Sequence, residues 1–157
     1  MPGYHPDVTR EPSLQEQFFP DLMCFGCGPA NSKGLRLRSF EADSGTTADF
    51  TPWPEHDNGL GFLNGGIICT VMDCHSATPV LLEAQRMDLS LSDSPLPFVT
   101  AGLTVKYLRP TPLRQPLRLY ATVREADQTT MLVDVELWSD GKVRAQGEAT
   151  WKLWQPR

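Results

Sequence analysis

The second half of the chain alternates between apolar and polar residues with a period of two. Odd positions are apolar or small, and even positions are mostly polar, in the segments 101–107, 117–123, 131–137 and 143–153. This alternation predicts strands with one buried and one solvated face. The connection Ser139–Lys142 contains an Asp-Gly pair, which predicts a tight hairpin turn. We therefore expect four successive antiparallel strands.

Two shorter strands are predicted in the first half of the chain. In Gly34–Phe40, Leu35 and Leu37 alternate with two arginines, and a further strand is expected over Thr46–Phe50. Together these patterns predict an antiparallel sheet of five to six strands.

The amino-terminal segment is rich in proline. Five of the 14 prolines fall within residues 1–30, and each one fixes φ and removes a backbone donor. We expect an irregular arm there, with one short helical turn around Leu14–Phe18, followed by a single domain over residues 31–157. The total length of 157 residues is that of one ordinary domain.

The run 63–82 breaks the alternation, because it is apolar or small on nearly every side. A helix that is apolar all round is a buried helix. Asn64 predicts the N-cap, while Pro79 predicts a kink or local unwinding near Ser76 or Ala77. The glycines, the proline and two ionisable side chains of this run argue against the alternative of a membrane span.

One buried helix and a wide sheet must bury their apolar faces against each other. The simplest arrangement is an α+β fold in which the sheet wraps around one long central helix. A single helix cannot cover so wide a sheet, so we expect a second copy of the chain and at least a homodimer.

Charge and composition narrow the classes of function. The net charge of −5 and the pI near 5.1 argue against a surface that neutralises a nucleic-acid backbone. The amino terminus has no apolar signal core, and we expect no membrane-spanning stretch. We therefore expect a cytoplasmic protein with no nucleic-acid or membrane partner.

Asp73 is the most informative candidate residue. An ionised carboxylate inside an apolar helix is costly unless it is paired or solvated by a cleft. Such a residue has either a functional role or a local one, facing solvent or bound to His75 or to a backbone donor. At the start of the same helix, Gly65 and Gly66 offer backbone N–H groups that can polarise a carbonyl oxygen, or simply permit a tight turn.

The cysteines raise the question of a metal site. Cys24 and Cys27 have CxxC spacing, and Cys69 and Cys74 lie in the predicted helix. A second CxxC or CxxH pair is missing, and buried free cysteines are common. We therefore expect no metal.

Two polar clusters remain. Lys106, Arg109, Arg114 and Arg118 concentrate positive charge around one turn and could hold nucleotide phosphates, or be scattered surface charge. The segment 55–58 contains a His and two acids, but no GxSxG motif accompanies it, so Ser-His-Asp chemistry is disfavoured and a solvated loop is expected.

Three segments resemble a known family. They are CFGCGPAN at residues 24–31, GLRL at residues 34–37 and EHDNGLGFLNGGIICTVMD at residues 55–73. They are similar to the hotdog-fold thioesterases, and most of all to the PaaI-type acyl-CoA thioesterases of the phenylacetate pathway. The order of elements also agrees, including a final strand that contains a glycine, here Gly147.

The resemblance implies a dimeric hydrolase of acyl-CoA or acyl-carrier thioesters, with two sites at the subunit interface and a further pairing of dimers left open. Coenzyme A is then part of the substrate, and no separate cofactor is implied. Asp73 corresponds to the carboxylate that acts as general base or nucleophile, Gly65 or Gly66 to the glycine whose N–H polarises the carbonyl, and Asn58 to the assisting amide. Asn58 and the glycines would come from one protomer and Asp73 from the other.

Three finer points follow from the same resemblance. A supporting hydroxyl found in some members corresponds to Thr100, although strand parity groups Thr100 with the even, polar positions. Lys106, Arg109 and Arg114 would contact the CoA phosphates. Asn64 stands where the family usually has His; it can still cap the helix and donate a hydrogen bond, but it cannot carry the charge of an imidazole.

Two alternatives stay open. A hotdog hydratase or dehydratase of enoyl-thioesters would use His56 or His75 beside the acid. A non-catalytic acyl-CoA-binding module would fit the loss of the usual His before the two glycines.

Overall fold

The structure is a computed structural model that describes residues 11–90 and 93–154. The first ten residues of the predicted arm lie outside the described residues. The elements are α1 (Leu14–Phe18), β1 (Arg38–Ala42), β2 (Gly45–Phe50), a 3-10 turn (Pro54–His56), α2 (Gly65–Arg86), β3 (Phe98–Tyr107), β4 (Leu117–Ala126), β5 (Thr130–Ser139) and β6 (Lys142–Leu153).

The strands form one antiparallel sheet in the order β1-β2-β4-β5-β6-β3. The sheet packs on α2 with its alternate, apolar side chains, which include Leu119, Ala121, Val133, Val135 and Leu137. Within the described residues, six strands around one long helix confirm the predicted α+β hotdog fold. The β5–β6 hairpin also forms as predicted, with both turn residues, Asp140 and Gly141, at positive φ.

Met72 of α2 packs against a glycine in the last strand. A Cβ added to Gly147 would lie 2.9 Å from Met72 Cε and 3.0 Å from Val135 Cγ1. The glycine therefore leaves room for the end of the Met72 side chain against the sheet, and a larger residue would have to displace it.

The first strand begins later than the sequence predicts. Arg36 has a φ of +53°, a conformation that interrupts an extended strand. The amide of Leu35 donates to the Phe25 carbonyl at 2.7 Å and that of Leu37 to the Gly26 carbonyl at 3.0 Å. Both leucines are buried, but they pair with the amino-terminal arm and not with the sheet. The predicted start at Gly34 is therefore wrong.

The predicted unwinding at Pro79 is also wrong, because α2 is continuous over 22 residues. Pro79 cannot donate to the carbonyl of His75, one turn before it. The side chain of Thr78 replaces the missing donor, since its Oγ1 donates to the His75 carbonyl oxygen at 2.8 Å. The helix therefore continues to Arg86, four residues beyond the predicted end.

By length and composition alone, α2 could cross a membrane, contrary to the sequence-based expectation. Half of its apolar window is buried within this chain. The apolar residues in the buried half of α2 are explained by their packing against the sheet.

A buried polar network joins α1 to the central helix. His75 is fully buried, with Nδ1 2.9 Å from Ser39 Oγ and Nε2 3.2 Å from the Thr46 carbonyl oxygen. Gln15 of α1 hydrogen-bonds both the hydroxyl and the amide of Ser39. Burial lowers the pKa of His75 to about 4, against a smaller opposing effect of the Thr46 hydrogen bond. The neutral ring is thus a structural crosslink.

Candidate active site

Asp73 lies in the middle of α2, on the side that faces strand β3. Its carboxylate is partly exposed, and Thr100 Oγ1 donates a hydrogen bond to Asp73 Oδ1 at 2.8 Å. Within the described residues, the second carboxylate oxygen has no hydrogen-bond partner. The carboxylate is therefore oriented by one hydroxyl and open on its other side, as a group that accepts a proton or attacks a carbonyl must be.

A β-bulge explains how Thr100 reaches the helix. Thr100 pairs with Trp151 and Gly102 with Thr150, so Ala101 is an extra residue on β3. An extra residue shifts the alternation of side chains by one position. Even positions face α2 before the bulge and odd positions face it afterwards. The grouping of Thr100 with the outward, polar positions is therefore wrong.

The amino terminus of α2 offers backbone amides as donors. Asn64 is the N-cap, as predicted, and its Oδ1 accepts a hydrogen bond from the Gly66 amide at 2.8 Å. The Gly65 amide has no hydrogen-bond partner in the described part of the chain. Because it lies at the positive end of the helix dipole, the Gly65 amide is the better placed of the two to bind a carbonyl oxygen.

Tyr107 holds Gly65 from strand β3. Its hydroxyl donates to the Gly65 carbonyl oxygen at 2.9 Å, and Cys69 Sγ lies 3.0 Å from the same hydroxyl. The hydrogen bond with Cys69, together with burial, raises the pKa of Tyr107 to about 12, so the phenol stays protonated. The sequence pattern groups Tyr107 with the apolar strand positions and carries no signal for this contact.

Asn58 lies in the loop that leads into α2. Its Oδ1 accepts hydrogen bonds from the amides of Leu60 and Phe62, at 2.9 and 3.3 Å. The loop closes where the Asn64 amide donates to the His56 carbonyl oxygen at 2.8 Å. The side-chain NH₂ of Asn58 has no partner within the described ranges and is exposed, so it is a free donor in the loop before the helix.

The two halves of the candidate site lie near opposite ends of β3. Thr100 contacts Asp73 near one end, and Tyr107 contacts Gly65 at the other. Asp73 follows Gly65 by eight residues, which is about 12 Å along a helix axis. One carbonyl group cannot touch both Asp73 and Gly65 of the same chain.

The two histidines of the described segments do not lie against Asp73. His75 is fixed in the buried network, and His56 stacks on Trp53, whose amide donates to His56 Nδ1 at 3.1 Å. Burial lowers the pKa of both rings. Neither provides the His beside the acid that a hydratase would need within one chain.

The four basic residues predicted around residues 106–118 do not form one cluster. Arg118 forms a bidentate ion pair with Asp49, at 2.8 and 2.9 Å. Lys106 projects from the outer face of the sheet, opposite α2. Arg109 donates to a backbone carbonyl of β6 at 2.7 Å, while Arg114 is exposed. The connection 108–116, which carries both arginines, packs on the loop before α2 through a bridge and a 2.9 Å hydrogen bond.

Three of the four cysteines lie together and could hold a metal ion. The Sγ atoms of Cys24, Cys27 and Cys74 are all within 4.8 Å of one another. Cys27 and Cys74 also line an apolar cavity of about 240 Å³ between α1 and α2. Cys69 is separate, beside Tyr107. The CxxC spacing signals two of these residues, but nothing in the sequence signals that Cys74 joins them.

Comparison with known proteins assigns the chain to a family. The sequence profile of the thioesterase superfamily matches residues 60–145, more than half of the chain, so the chain belongs to the thioesterase superfamily. A thioesterase superfamily protein from Shewanella loihica is 31% identical, covering 81% of this chain and 98% of its own, with a TM-score of 0.63.

Two further solved structures share the fold at lower identity. The E. coli PaaI protein of the phenylacetic acid degradation operon is 22% identical, covering 75% of this chain and 83% of its own, with a TM-score of 0.62. A Bacillus halodurans protein solved with CoA is 20% identical, covering 82% and 80%, with a TM-score of 0.63. The predicted resemblance to the hotdog thioesterases is confirmed. A search of the curated proteins gives no match.

Proposed function

We propose that this chain hydrolyses acyl-CoA thioesters to a free acid and a thiol, as a homodimer in which Asp73 is the general base. Membership of the thioesterase superfamily supports the reaction class. The structural neighbour solved with CoA supports coenzyme A as the thiol.

The placement of both half-sites along β3 carries this proposal. Asp73 lies beside Thr100 and Gly65 beside Tyr107, near opposite ends of one strand. β3 is an edge of the sheet. If two copies pair antiparallel through this edge, each Thr100 end meets the partner's Tyr107 end, and Asp73 of one chain approaches Gly65 of the other. Two equivalent sites result.

The exposed side of α2 also supports a dimer. Only half of its apolar window is buried within one chain. In the described part of the chain, one side of the ten-residue strand β3 has no neighbouring strand, so its backbone groups on that side are unpaired. Val99, Tyr107 and Leu108 are exposed large apolar side chains on or next to this strand. Antiparallel pairing of β3 satisfies the backbone groups and covers part of the apolar surface.

The reaction then follows from the positions of the groups. The thioester carbonyl oxygen accepts a hydrogen bond from the Gly65 amide, at the positive end of the helix, and the Asn58 NH₂ group assists. These dipoles stabilise the negative charge that develops on that oxygen. Asp73 takes a proton from a water molecule as it attacks the carbonyl carbon; the C–S bond breaks, and the thiolate leaves and gains a proton. Thr100 keeps the carboxylate in position.

The coenzyme A phosphates would bind near the start of α2. Arg109 and Arg114 lie in the connection that packs on the loop before the helix, and both side chains are exposed. Guanidinium groups bind phosphates with two parallel hydrogen bonds. Lys106 lies on the outer face of the sheet, so its contribution to binding the phosphates would be smaller than that of the two arginines.

The test is thiol release from a panel of acyl-CoA thioesters. Asp73→Asn keeps the size of the side chain and can still accept the Thr100 hydrogen bond, but it removes the base, and we expect kcat to fall by about 10²–10⁴-fold. Glu83→Gln is the matched control, since it removes a carboxylate ten residues further along the same helix, and it should keep wild-type activity. Equal hydrolysis by wild type and Asp73→Asn would refute the role of Asp73, and tight CoA-ester binding without turnover in the wild type would indicate a binding module.

A further inference from the structure

The cysteine cluster lies outside the proposed hydrolytic mechanism and joins two distant parts of the chain. Cys24 and Cys27 belong to a turn in the amino-terminal arm, and Cys74 belongs to α2, next to Asp73. The three Sγ atoms are mutually within 4.8 Å, and Cys24 Sγ lies 3.7 Å from Cys74 Sγ. None of the three forms a disulfide.

These separations match the coordination sphere of a tetrahedral thiolate site. Zinc–sulfur bonds are about 2.3 Å long, so two sulfur ligands of a tetrahedral zinc ion lie about 3.8 Å apart. The Cys24–Cys74 distance of 3.7 Å therefore fits two ligands of one ion. No two of the three Sγ atoms are more than 4.8 Å apart. The third sulfur therefore has to move by at most about 1 Å to reach the spacing of zinc ligands.

The backbone of the turn is shaped around the sulfur atoms. The Gly28 amide closes this turn by donating to the Cys24 carbonyl oxygen at 2.9 Å. A Cβ at Gly26 would collide with Cys74 Sγ, and a Cβ at Gly28 would collide with the backbone of Cys24. Both glycines thus permit the turn to approach α2 closely enough for the three sulfurs to converge.

Soft thiolate ligands such as these three cysteines favour Zn²⁺ over the hard cations that carboxylates bind.

We propose that Cys24, Cys27 and Cys74 bind one Zn²⁺ ion through three thiolates. The remaining thiol protons leave to solvent as the Zn–S bonds form, and no electron transfer is involved. Cys24 is partly exposed, so a water molecule can occupy the fourth position. The ion crosslinks the amino-terminal arm to α2 one residue from Asp73, and its function is to hold this part of the helix in place.

The test uses the full chain, reduced, freed of metal with a chelator, and titrated with Co²⁺ as a spectroscopic substitute for Zn²⁺. We expect intense thiolate-to-cobalt charge-transfer absorption that saturates at about one ion per chain and disappears when Zn²⁺ displaces the cobalt. Cys24→Ser should lose this absorption. Cys69→Ser, which removes the cysteine outside the cluster, should keep it.

Two further measurements keep the proposal falsifiable even if Cys24→Ser folds poorly. Zn²⁺ added to the metal-free wild type should raise its Tm, as does any ligand that binds only the folded state, and Cys69→Ser should show the same rise. Absence of the charge-transfer band in the folded wild type would overturn the proposal. A Cys24–Cys74 disulfide in protein purified without reductant, with no metal binding after its reduction, would also overturn it.

Discussion

At the scale of single residues, the hydrogen bond from Thr100 to Asp73 makes Thr100 a positioning residue. A hydrogen bond to a charged group contributes about 1.5–3 kcal/mol. We therefore expect Thr100→Val, which keeps the shape of the side chain, to lower kcat/KM for the best acyl-CoA substrate by about 10- to 100-fold. Steady-state thiol release measures the effect.

Two variants separate positioning from packing. Thr100→Ser retains the hydroxyl and should retain most of the activity. Thr104→Val makes the same chemical change on the outward face of β3 and should leave kcat/KM unchanged. If Thr100→Val is as active as wild type, or if Thr100→Ser is as impaired as Thr100→Val, then the hydroxyl does not orient the base.

Single residues differ in how far the sequence predicts them. Asp73 can be identified because an acid in an apolar helix is unusual, and Asn64 because capping is a local property of the chain. The orientation of Thr100 cannot be predicted from the sequence, because it depends on a β-bulge that forms only when β3 pairs with β6. The contact between Tyr107 and Gly65 likewise depends on where β3 lies against α2.

At the scale of elements, Thr78 explains how α2 accommodates Pro79. The hydroxyl of Thr78 is buried and donates to the His75 carbonyl, which has no amide donor one turn later. Thr78→Val removes that hydroxyl without changing the shape of the side chain. The substitution leaves the His75 carbonyl unsatisfied and also removes the hydrogen bond between Thr78 Oγ1 and Thr46 Oγ1 at 2.8 Å. We expect a loss of about 1–3 kcal/mol in the free energy of unfolding, measured by urea denaturation.

Thr70 provides the matched control for this change. Its hydroxyl donates to the Gly66 carbonyl in the same helix at 2.9 Å, but that carbonyl also has the Thr70 amide as an intrahelical donor. Thr70→Val should therefore cost much less than Thr78→Val. Equal losses of stability in the two variants would show that Pro79 does not depend on Thr78.

Strands and helices with a regular apolar pattern can be predicted from the sequence, but the residues at which they begin and end are harder to predict. The four strands in the second half form where alternation predicts them, because each has one buried face. The start of β1 could not be predicted from Leu35 and Leu37, since these leucines are buried by the arm and not by the sheet. The end of α2 extends to Arg86 because residues 83–86 are good helix formers.

At the scale of the whole molecule, sequence and structure both support the proposal that the active site needs a second copy of the chain. From the sequence, one helix is too narrow for the predicted sheet. The structure adds a specific reason: Asp73 and Gly65 lie near opposite ends of the edge strand. This separation could not be predicted without knowing that β3 lies beside α2 with Thr100 and Tyr107 at those ends.

The proposed dimeric site predicts complementation between two inactive variants. Asp73→Asn removes the base. Gly65→Pro removes the amide donor at the first helical position, where proline is favoured, and Asn64 already has the extended backbone that precedes a proline, with ψ of 133°. Each variant alone should be nearly inactive. Unfolded together and refolded as a mixture, they should form mixed dimers with one intact site, which restores about a quarter of the wild-type activity.

The statistical origin of this fraction makes the test decisive. Half of the dimers in an equal mixture are mixed, and one of the two sites in each mixed dimer combines a native Asp73 with a native Gly65. If both groups acted within one chain, this mixture of the two single variants would contain no intact site, and activity would stay at the level of the parents. The control is an equal mixture of wild type with a chain that carries both substitutions. Each site of its mixed dimers then contains one substituted group, so only the wild-type dimers are active and about a quarter of the wild-type activity remains. If both groups acted within one chain, each mixed dimer would keep one intact site, and about half of the activity would remain. The two mixtures together therefore show whether each active site is built from both subunits.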